Sequence, residues 1–433
     1  MARAKKEAAL TPEERLQAAL VPDWEWPYKL PENWCWLKLV ESFDNHTDSK
    51  KKIKQKDYLV KGKLAVVDQG QELIGGYTND VEKSYSGALP IVIFGDHTRC
   101  IKFVDFPFAQ GADGVKVLRP KPFYLPKAFY YALQSVNIPN LGYRRHFPLF
   151  NKFSIPLPPF AEQQRIVDRI ESLFAKLDEA KEKAQAVVDS FETRKAAILH
   201  KAFTGELTAK WREEHGVGME SWEVRTLDSV CSSIFDGDHM PPPKAESGIP
   251  FLVISNVNTG HLTFENTRFV PQEYYDTLSD TRKPQLGDVL YTLVGSFGIP
   301  VVVNSKRPFC FQRHMALLRP IDVSPQFLWY ILQTPEMYDK ASSIATGTAQ
   351  LTVPIKGLRA MTIPRPNIAE QVEIVRILDG FFAREQSAKE AAEAVLDQIN
   401  LMKKSILARA FRGELGTNDP SEESAVELLK QII

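Results

Sequence analysis

The sequence has few cysteines, no long apolar run and no net charge. No uninterrupted apolar stretch approaches the roughly 20 residues that a membrane-spanning helix needs. The opening, MARAKKEAAL followed by TPEER, places charges where a secretory signal carries its apolar segment. We therefore expect a cytoplasmic protein.

The four cysteines are far apart and form no CxxC pair, so the sequence indicates neither a zinc ribbon nor a disulfide framework. We expect all four to be reduced and structural: Cys35, Cys100, Cys231 and Cys310. The chain has 433 residues, of which 44% are hydrophobic. It is therefore long enough for two or three globular domains, each with its own core.

The balance of 54 basic and 54 acidic residues argues at first against a nucleic-acid partner. The charge is unevenly distributed, however. Residues 34–154 contain 18 lysines and arginines against 11 acidic residues, whereas residues 222–362 contain 12 against 13. The basic excess of the first region fits an electrostatic footprint for phosphates, and it fits a merely solvated face equally well.

An internal repeat organises the chain. The segment that begins at Ile155 recurs without a gap 208 residues later at Ile363, and the match ends at Leu207 and Leu415. IPLPPFAEQQRIV aligns with IPRPNIAEQVEIV, and ILHKAFTGEL aligns with ILARAFRGEL; about half of the 53 aligned positions are identical. The chain therefore contains a duplication, with different material between the copies.

Each copy is predicted to form one long helix that follows several prolines and stops near Gly205 or Gly413. Apolar residues recur in alternating steps of four and three, interrupted at Arg194 and Glu385, which is the pattern of a coiled-coil seam. The seam positions of the first copy include Ile166, Ile170, Leu173, Leu177, Val187 and Phe191. Those of the second copy include Ile374, Leu378, Phe381, Val395, Ile399 and Met402.

Two helices packed inside any helical domain would show the same seam. Length favours a spacer, because a helix over residues 160–203 would be roughly 66 Å long at about 1.5 Å per residue. Antiparallel pairing would place the intervening domain at one end of the spacer and the preceding domain at the other. The N-terminal arm and the acidic C-terminal tail would then lie beside the first domain, where we expect them to help seat a partner.

The regions that precede the two helices share an opening, since Trp34, Trp36 and Leu39 have the spacing of Trp222, Val224 and Leu227. Both regions contain short β-like runs and turn residues, and both carry the tripeptide LRP ahead of a helical segment. We expect diverged copies of one α+β fold. A shared scaffold with unlike loops is what two different recognition specificities would require.

Several motifs of this chain, taken together, are typical of one known family: PPFAEQQRIV and FTGEL with their repeats, WPYKLPENW, FGDHT, LGYRRHF, DGDHMPPPKAESGIPFLVISN and LGDVLYTLVGSFG. Together they resemble the specificity subunits of type I restriction-modification systems, over essentially the whole chain. The resemblance implies a subunit that reads a bipartite double-stranded DNA site, one half per domain. It also implies two modification (methyltransferase) subunits that methylate adenine, and restriction subunits that hydrolyse ATP and cut DNA.

The fold class expected is α+β, with two α/β target-recognition domains separated by two long antiparallel coiled-coil helices in a pseudo-twofold duplication. The expected segments are an N-terminal arm (1–33), target-recognition domain 1 (34–154), a central spacer helix (155–215), target-recognition domain 2 (216–362), a distal spacer helix (363–415) and an acidic C-terminal tail (416–433). We expect S-adenosylmethionine, ATP and magnesium on the partner subunits, and no cofactor or metal in this chain.

Direct readout of DNA needs forked donors and acceptors carried on loops. In the first domain we predict phosphate contacts from Lys50, Lys51, Lys52, Lys54 and Lys56, and further DNA contacts from His97, Thr98, Arg99, Tyr143, Arg144 and Arg145. In the second domain we predict contacts from His239, Lys244, Ser255, Asn256, Gln312, Arg313, His314, Thr346, Thr348 and Gln350. Because the second domain is nearly neutral, either backbone amides and hydroxyls or the partners must meet its phosphates; we favour the partners.

Each of these predictions has a structural alternative. A lysine run is often a solvated loop, and an arginine pair near a helix is often a cap. His97 and His239 could equally be buried histidines that hydrogen-bond within turns. Asp96 and Asp238 are better suited to organising their turns than to reading cytosine.

No motif in the chain indicates catalysis. ATP hydrolysis would need GxxxxGK[ST], and adenine methylation would need a glycine-rich cofactor loop with an Asn-Pro-Pro-aromatic motif, neither of which is present. Asp23, Asp48 and Lys50 fit a loose nuclease pattern, but Asp23 does not follow a strand that would direct it to a metal. The remaining alternative is a helical scaffold or adaptor without DNA specificity, whose apolar interfaces would be less sensitive to salt.

Overall fold

The computed structural model describes residues 11–237 and 242–432. Its α-helices are α1 (Pro12–Ala19), α2 (Pro126–Ser135), α3 (Phe160–Asp189), α4 (Phe191–Phe203), α5 (Ala209–Glu214), α6 (Leu227–Val230), α7 (Gln272–Thr277), α8 (Pro325–Ile331), α9 (Pro335–Ile344), α10 (Ile355–Ala360), α11 (Ile368–Ala410) and α12 (Ala425–Ile432). No helix in this part of the chain combines the length and the apolarity that crossing a membrane requires.

The β-strands are short, as the spacing of turn residues predicts. They are β1 (Cys35–Lys38), β2 (Phe43–Asn45), β3 (Leu64–Val67), β4 (Gly76–Thr78), β5 (Ile91–Gly95), β6 (Ile101–Val104), β7 (Phe108–Gln110), β8 (Val115–Pro120), β9 (Ser154–Leu157), β10 (Glu223–Thr226), β11 (Cys231–Asp236), β12 (Ile249–Leu252), β13 (Arg268–Val270), β14 (Val289–Thr292), β15 (Pro300–Val302), β16 (Cys310–Phe311), β17 (Met315–Pro320) and β18 (Thr362–Arg365).

The chain forms two compact units. Unit 1 contains Met1–Ala184 and Ala394–Ile433, and unit 2 contains Gln185–Glu393. Each unit therefore joins one α/β domain to parts of both long helices. The division falls inside α3 and α11, whereas the segments expected from the sequence separate each domain from its helix.

The two α/β domains have the same topology. In unit 1 the strand orders are β2-β8-β5-β6, β4-β3-β7 and β1-β9, and in unit 2 they are β11-β17-β14-β15, β13-β12-β16 and β10-β18. The parallel pair β3 and β7 in unit 1 has its counterpart in β12 and β16 of unit 2. This one-to-one match confirms that the domains are copies of one α+β fold, and it confirms that LRP ends a strand ahead of a helix in both.

The helix stops predicted at glycine are confirmed. Gly205 follows α4 with a φ of +84° and Gly413 follows α11 with a φ of +76°, a left-handed conformation that favours glycine. The first helix copy differs from the prediction, because α3 ends at Asp189 and α4 begins at Phe191. The hydroxyl of Ser190 donates to the carbonyl of Ala186 at 2.6 Å, and the Ser190 N–H donates to the same carbonyl at 3.1 Å.

In unit 1 the beginning of α3 and the end of α11 run antiparallel. The Lys403 Nζ lies 2.5 Å from Asp178 Oδ1 and 4.9 Å from the centre of the Phe174 ring. Beyond the end of α11, the Thr417 hydroxyl donates to Glu162 Oε1 at 2.6 Å. Asp178 thus contacts residue 403, and the earlier Glu162 contacts the later residue 417, as expected for antiparallel segments.

Unit 2 shows the same direction of pairing. The Lys389 Nζ lies 5.0 Å from the centre of the Phe191 ring, and Arg194 pairs with Glu385 at 2.7 Å. After the end of α4, the Thr208 hydroxyl donates to Glu370 Oε1 at 2.7 Å.

The seam prediction was partly wrong in the second copy. Ile374, Leu378 and Ile399 are buried, but Val395 is 41% exposed and Met402 is 49% exposed. Lys403 is more enclosed than its neighbour Met402, because its ammonium lies over the Phe174 ring and reaches Asp178. The seam therefore continues from Ile399 to Lys403, whereas the apolar pattern predicted that it continues to Met402.

In the first copy Ile166 and Ile170 are buried, whereas the other predicted seam residues are half-buried. Those half-buried residues are Leu173, Leu177, Val187 and Phe191, and Phe381 of the second copy has the same intermediate exposure.

The described part of the N-terminal arm and the C-terminal segment belong to unit 1, as expected for residues that lie with the first domain. The segment after Gly416 is more than an acidic tail, since it ends in α12, whose Ala425 and Leu429 are fully buried in the core of unit 1. The Asn33 side chain donates to the carbonyl of Asp419 at 2.9 Å and thereby ties the two segments together.

No disulfide joins any of the four cysteines, all of which lie within the described residues, and Cys35, Cys231 and Cys310 are buried. Burial raises the pKa of Cys35 to about 12, and burial together with Asp228 and Asp288 raises the pKa of Cys231 to about 12. Both thiols are therefore protonated and unreactive near neutral pH.

Candidate nucleic-acid interface

Three loops of unit 1 meet beside the end of β5. They are the turn between β5 and β6 (residues 96–100), the turn between β7 and β8 (111–114) and the loop that follows α2 (136–146). The Asp96 N–H donates to the carbonyl of Gly114 at 2.6 Å, and the Asp96 carboxylate accepts the N–H groups of His146 and Phe147 at 2.8 and 2.7 Å. Asp96 therefore organises its turn, as expected.

Gly114 is required where the first two loops touch. A Cβ at this position would lie 2.6 Å from Gln69 Oε1 and 2.8 Å from His97 Cδ2, and the backbone φ is +92°. The same Gln69 oxygen accepts the His97 N–H at 3.1 Å. Gln69 was missed by sequence reasoning, because it follows β3 and nothing in the local pattern links it to residue 97.

His146 connects the turn after β5 to the loop after α2. It is fully buried, its Nδ1 lies 2.9 Å from the carbonyl oxygen of Asp96, and its Nε2 accepts the N–H of Leu141 at 3.1 Å. In this arrangement Nδ1 is placed to donate and Nε2 accepts. His146 thus fixes both ends of the short loop that carries Tyr143, Arg144 and Arg145.

The loop fixed by His146 exposes an aromatic ring and two cations. The Tyr143 side chain is 86% exposed and stacks on His97, with 4.8 Å between ring centres and 14° between planes. Arg144 and Arg145 are exposed beside it. The structure thus brings together His97 and Tyr143, which are 46 residues apart in the chain.

The other two predicted residues of the β5–β6 turn, Thr98 and Arg99, have internal partners. The Thr98 hydroxyl donates to the carbonyl of Gln69 at 2.6 Å, and the Arg99 guanidinium donates to the carbonyl of Ile138 at 3.0 Å. These hydrogen bonds brace the turn, so Thr98 and Arg99 are better placed to position the loops than to reach a base.

The lysine run lies on the loop between β2 and β3. Lys50, Lys54 and Lys56 are exposed, whereas Lys51 and Lys52 are half-buried. Lys52 lies 3.7 Å from Asp113, which links this loop to the turn between β7 and β8. The lysines therefore lie on a loop that adjoins the three-loop cluster.

Unit 2 places equivalent loops together with different residues. The β14–β15 loop meets the loop after α9, where Gly295 donates to the carbonyl of Leu351 at 3.0 Å and Val353 donates to that of Leu293 at 2.9 Å. Leu293 in turn donates to the carbonyl of His314 at 2.8 Å, which joins the turn between β16 and β17. Sequence reasoning singled out no residue of the β14–β15 loop, because its glycines and serine carry no forked donor or charge.

The predicted residues of unit 2 divide between these loops. Gln312, Arg313 and His314 form the β16–β17 turn, in which Arg313 is exposed. Burial, followed by the charge of Arg313, lowers the pKa of His314 below its ordinary value of 6.5. Thr346, Thr348 and Gln350 are exposed on the loop after α9, and Lys244 is exposed between β11 and β12.

Asn256 does not suit base readout. Its side chain is 2% exposed, its Oδ1 accepts the N–H of Val253 at 3.0 Å, and its Nδ2 donates to the carbonyl of Glu265 at 3.0 Å. The amide therefore braces the loop after β12, as asparagine often does in turns. The neighbouring Ser255 is exposed, while His239 and Asp238 lie outside the described residues.

Within residues 11–237 and 242–432, no group of three or more His, Cys, Asp or Glu side chains is arranged to hold a metal ion. What the two loop clusters offer instead is hydrogen-bond donors and acceptors, with cations concentrated in unit 1. Such a surface suits binding through phosphates and base edges.

Comparison with known proteins identifies one family. A sequence family described as the type I restriction modification DNA specificity domain matches residues 31–188 and again residues 219–396, which together form more than half of the chain. The two matches correspond to the two copies of the repeated domain and helix.

Individual relatives carry the same description. The chain is 28% identical over 305 residues to the EcoKI specificity subunit of Escherichia coli K12, an alignment that covers 65% of this chain and 64% of that protein, less than two thirds of its length. It is 24% identical over 373 residues to the EcoR124I/EcoR124II specificity subunit of Escherichia coli, covering 80% of this chain and 86% of that protein.

Two solved structures share the fold. One, from a study of complex assembly and conformational transition of the type I R-M system, has a TM-score of 0.64 at 21% identity. The HsdS subunit from Thermoanaerobacter tengcongensis has a TM-score of 0.54 at 21% identity. Each alignment covers 90% of this chain and 100% of the other chain.

Proposed function

The chain belongs to the type I restriction-modification DNA specificity family, and from that premise we propose that it is the non-catalytic subunit that reads a bipartite double-stranded DNA site. Each α/β domain would recognise one half of the site through its loop cluster. The observation that carries this proposal is the occurrence of one scaffold twice with unlike loops: Tyr143 and Arg144 are exposed in one copy, Thr346 and Thr348 in the other. Equal scaffolds would hold both readers in the same way, while the unlike loops would select different sequences.

The helices would dock the partners. Because α3 with α4 and α11 repeat one another in sequence, we propose that each copy binds one modification subunit, giving two in the assembly. Those subunits would bind S-adenosylmethionine and flip the target adenine out of the duplex. Restriction subunits with ATP and magnesium would join the same complex, which would act on DNA in the cytoplasm.

The two clusters would meet the DNA phosphates differently. The first has the lysine loop and the arginine pair, so its contacts would be salt-dependent through release of counterions. The second has Lys244 and Arg313 among the proposed contacts, with hydroxyls at Thr346 and Thr348. We propose that the partner subunits supply most of the remaining positive charge around the second half-site.

Modification mapping tests this function. The chain would be co-expressed with its neighbouring methyltransferase gene, and methylated adenines would be read by single-molecule sequencing. We expect a gapped, asymmetric motif in which exchange of residues 34–154 changes one half and exchange of residues 216–362 changes the other. Methylation that does not depend on this chain, or no methylation at all, would favour the helical scaffold without DNA specificity.

A further inference from the structure

Unit 1 contains a cavity of about 220 Å³ at the edge of its smaller sheet. Its walls come from the loop after β2, from the segment before β5 and from Gln110 at the end of β7. Its lining includes His46, Asp48, Lys51, Lys83, Tyr85 and Gln110. This cavity is separate from the three-loop cluster around His97 and Tyr143.

Gln110 lines the cavity and carries a donor that is buried and unused. Its side chain is only 4% exposed, and its Oε1 accepts the N–H of Asp48 at 3.2 Å. That hydrogen bond fixes the orientation of the amide, and Nε2 then has no hydrogen-bond partner among the described residues. A buried donor without an acceptor is unfavourable, so a ligand oxygen that comes within reach of Nε2 would gain a hydrogen bond there.

Two ammonium groups give the cavity a positive charge. The Lys51 Nζ donates to the carbonyl of Ser84 at 3.2 Å, and the Lys83 Nζ donates to the carbonyl of Lys50 at 2.9 Å. These two contacts cross-link the two walls and hold both lysines at the cavity. Each ammonium has three N–H donors, so each can also donate to a ligand.

The remaining polar groups are compatible with an anion. The Asp48 carboxylate is the one acidic group of the lining, and its Oδ1 accepts the N–H of Lys50 at 2.8 Å. The Tyr85 hydroxyl lies 3.2 Å from His46 Nδ1, and its ring stacks on Phe108 with 5.4 Å between centres. Two lysines against one aspartate leave a net positive cavity with a rigid aromatic wall.

We propose that this cavity is a phosphate-binding site, in which Lys51 and Lys83 neutralise the anion and Gln110 Nε2 donates to one of its oxygens. The phosphate is one of the DNA backbone, which rests on the proposed function, since the lysine loop that forms one wall also carries the exposed Lys54 and Lys56. A backbone phosphate held here would set the register of the first domain on the duplex without reading a base.

The test uses the full chain and two variants. Gln110→Glu is isosteric, keeps the oxygen that accepts from Asp48 and turns the free donor into a repelling carboxylate; Lys83→Gln removes one cation at the surface and keeps the test valid if Gln110→Glu fails to fold. Lys61→Gln is the matched control, because Lys61 is exposed in the same domain and does not line the cavity. Binding of inorganic phosphate is measured by calorimetry at constant ionic strength, and binding of a duplex is measured by anisotropy as salt is varied.

We expect inorganic phosphate to bind the wild-type chain and the control, and to bind at least tenfold more weakly to both cavity variants. The slope of log affinity for DNA against log salt should become shallower in Lys83→Gln, by up to about 0.9, which is the full loss of one phosphate contact. If phosphate binding depends on Gln110 and Lys83 but the DNA slope does not change, the site takes a free phosphate-bearing ligand. If, in addition, the wild-type chain bound no duplex at all, the proposed function would be wrong and the cavity proposal would stand as a site for a free phosphate-bearing ligand.

Phosphate binding and salt slopes that are unchanged in both cavity variants would overturn the cavity proposal. Sequence-dependent duplex binding by the same wild-type chain would leave the proposed function intact. The two proposals therefore fail under different results.

Discussion

Arg194 and Glu385, the two residues that interrupt the apolar pattern of the helix copies, form a salt bridge with each other in unit 2, with 2.7 Å between Arg194 Nη2 and Glu385 Oε2. The Arg194 Nε donates to the same oxygen at 2.8 Å. The interruptions are therefore complementary. A polar residue in a largely apolar seam is a known means of fixing the register of paired helices.

We expect Arg194→Leu and Glu385→Leu each to destabilise unit 2, and the double variant to be less destabilised than the sum of the two. The coupling should be about 1 kcal/mol, because the side chains are 34% and 18% exposed and water screens part of their attraction. A double-mutant cycle of urea unfolding measures it. The surface pair Lys210 and Glu214, at 3.7 Å and 87% and 58% exposed, is the control and should show almost no coupling.

The exposed ring of Tyr143 offers a second prediction. Tyr143→Ala should leave the stability of unit 1 within about 0.5 kcal/mol of wild type, because the side chain is 86% exposed. If the ring contacts DNA, its loss should weaken duplex binding by about 1–3 kcal/mol, roughly 5- to 150-fold. Anisotropy with the cognate duplex measures this.

Trp24→Ala provides the comparison for Tyr143, since Trp24 is 84% exposed in the same unit and was not predicted to touch DNA. Equal affinities for the two variants would remove Tyr143 from the proposed interface. Selective weakening of Tyr143→Ala would support it.

The scaffold was more predictable from the sequence than the site was. The 53-residue repeat shows itself by identity, and Gly205 and Gly413 mark helix ends because few other residues adopt a left-handed backbone. The seam position that follows Ile399 in the second helix copy was harder to predict, since apolar periodicity selects Met402 over Lys403. Only the tertiary contact with Phe174 and Asp178 shows that the lysine lies in the seam.

Candidate site residues were chosen by residue type and loop position, and residue type does not determine whether a side chain binds a ligand or braces its own loop. Asn256 has the chemistry to read adenine, yet its side-chain oxygen and nitrogen both hydrogen-bond to the backbone of its own loop. The convergence of residues 97, 114 and 143 depends on strand order, which a single sequence does not specify. Gln69, which contacts both the turn after β5 and the turn before β8, could not be found without the fold.

His314 gives unit 2 a dependence on pH. Burial, together with Arg313, lowers the pKa of His314 in the folded chain below 6.5, so the unfolded chain takes up this proton at a higher pH than the folded chain does. The contribution of His314 to stability is therefore present above about pH 6.5 and is lost as the pH falls through the folded pKa. Urea midpoints measured from pH 7.5 to 5 should decline less steeply for His314→Gln than for wild type.

The exposed His261 supplies the control for His314. His261→Gln should reproduce the wild-type decline. A decline that is identical in all three proteins would show that His314 does not contribute to the pH dependence.

The buried glutamates at the starts of α3 and α11 allow a matched comparison between the units. Glu370 in unit 2 is fully buried and receives hydrogen bonds from Thr208, Arg212 and Trp222 at 2.7, 2.6 and 2.9 Å. The Arg212 side chain is itself only 8% exposed. Arg212→Ala would therefore leave a carboxylate buried without its counter-charge, which typically costs about 3–5 kcal/mol.

Glu162 in unit 1 is also fully buried, and it is paired with Arg165 at 2.8 Å. The Arg165 side chain is 39% exposed, so water can take over part of its role when it is removed. We therefore expect Arg165→Ala to destabilise unit 1 by clearly less than Arg212→Ala destabilises unit 2, although the two glutamates hold equivalent positions in the repeat. Denaturant unfolding of both variants measures the difference, and equal losses would show that position in the repeat, and not burial of the arginine, sets the cost.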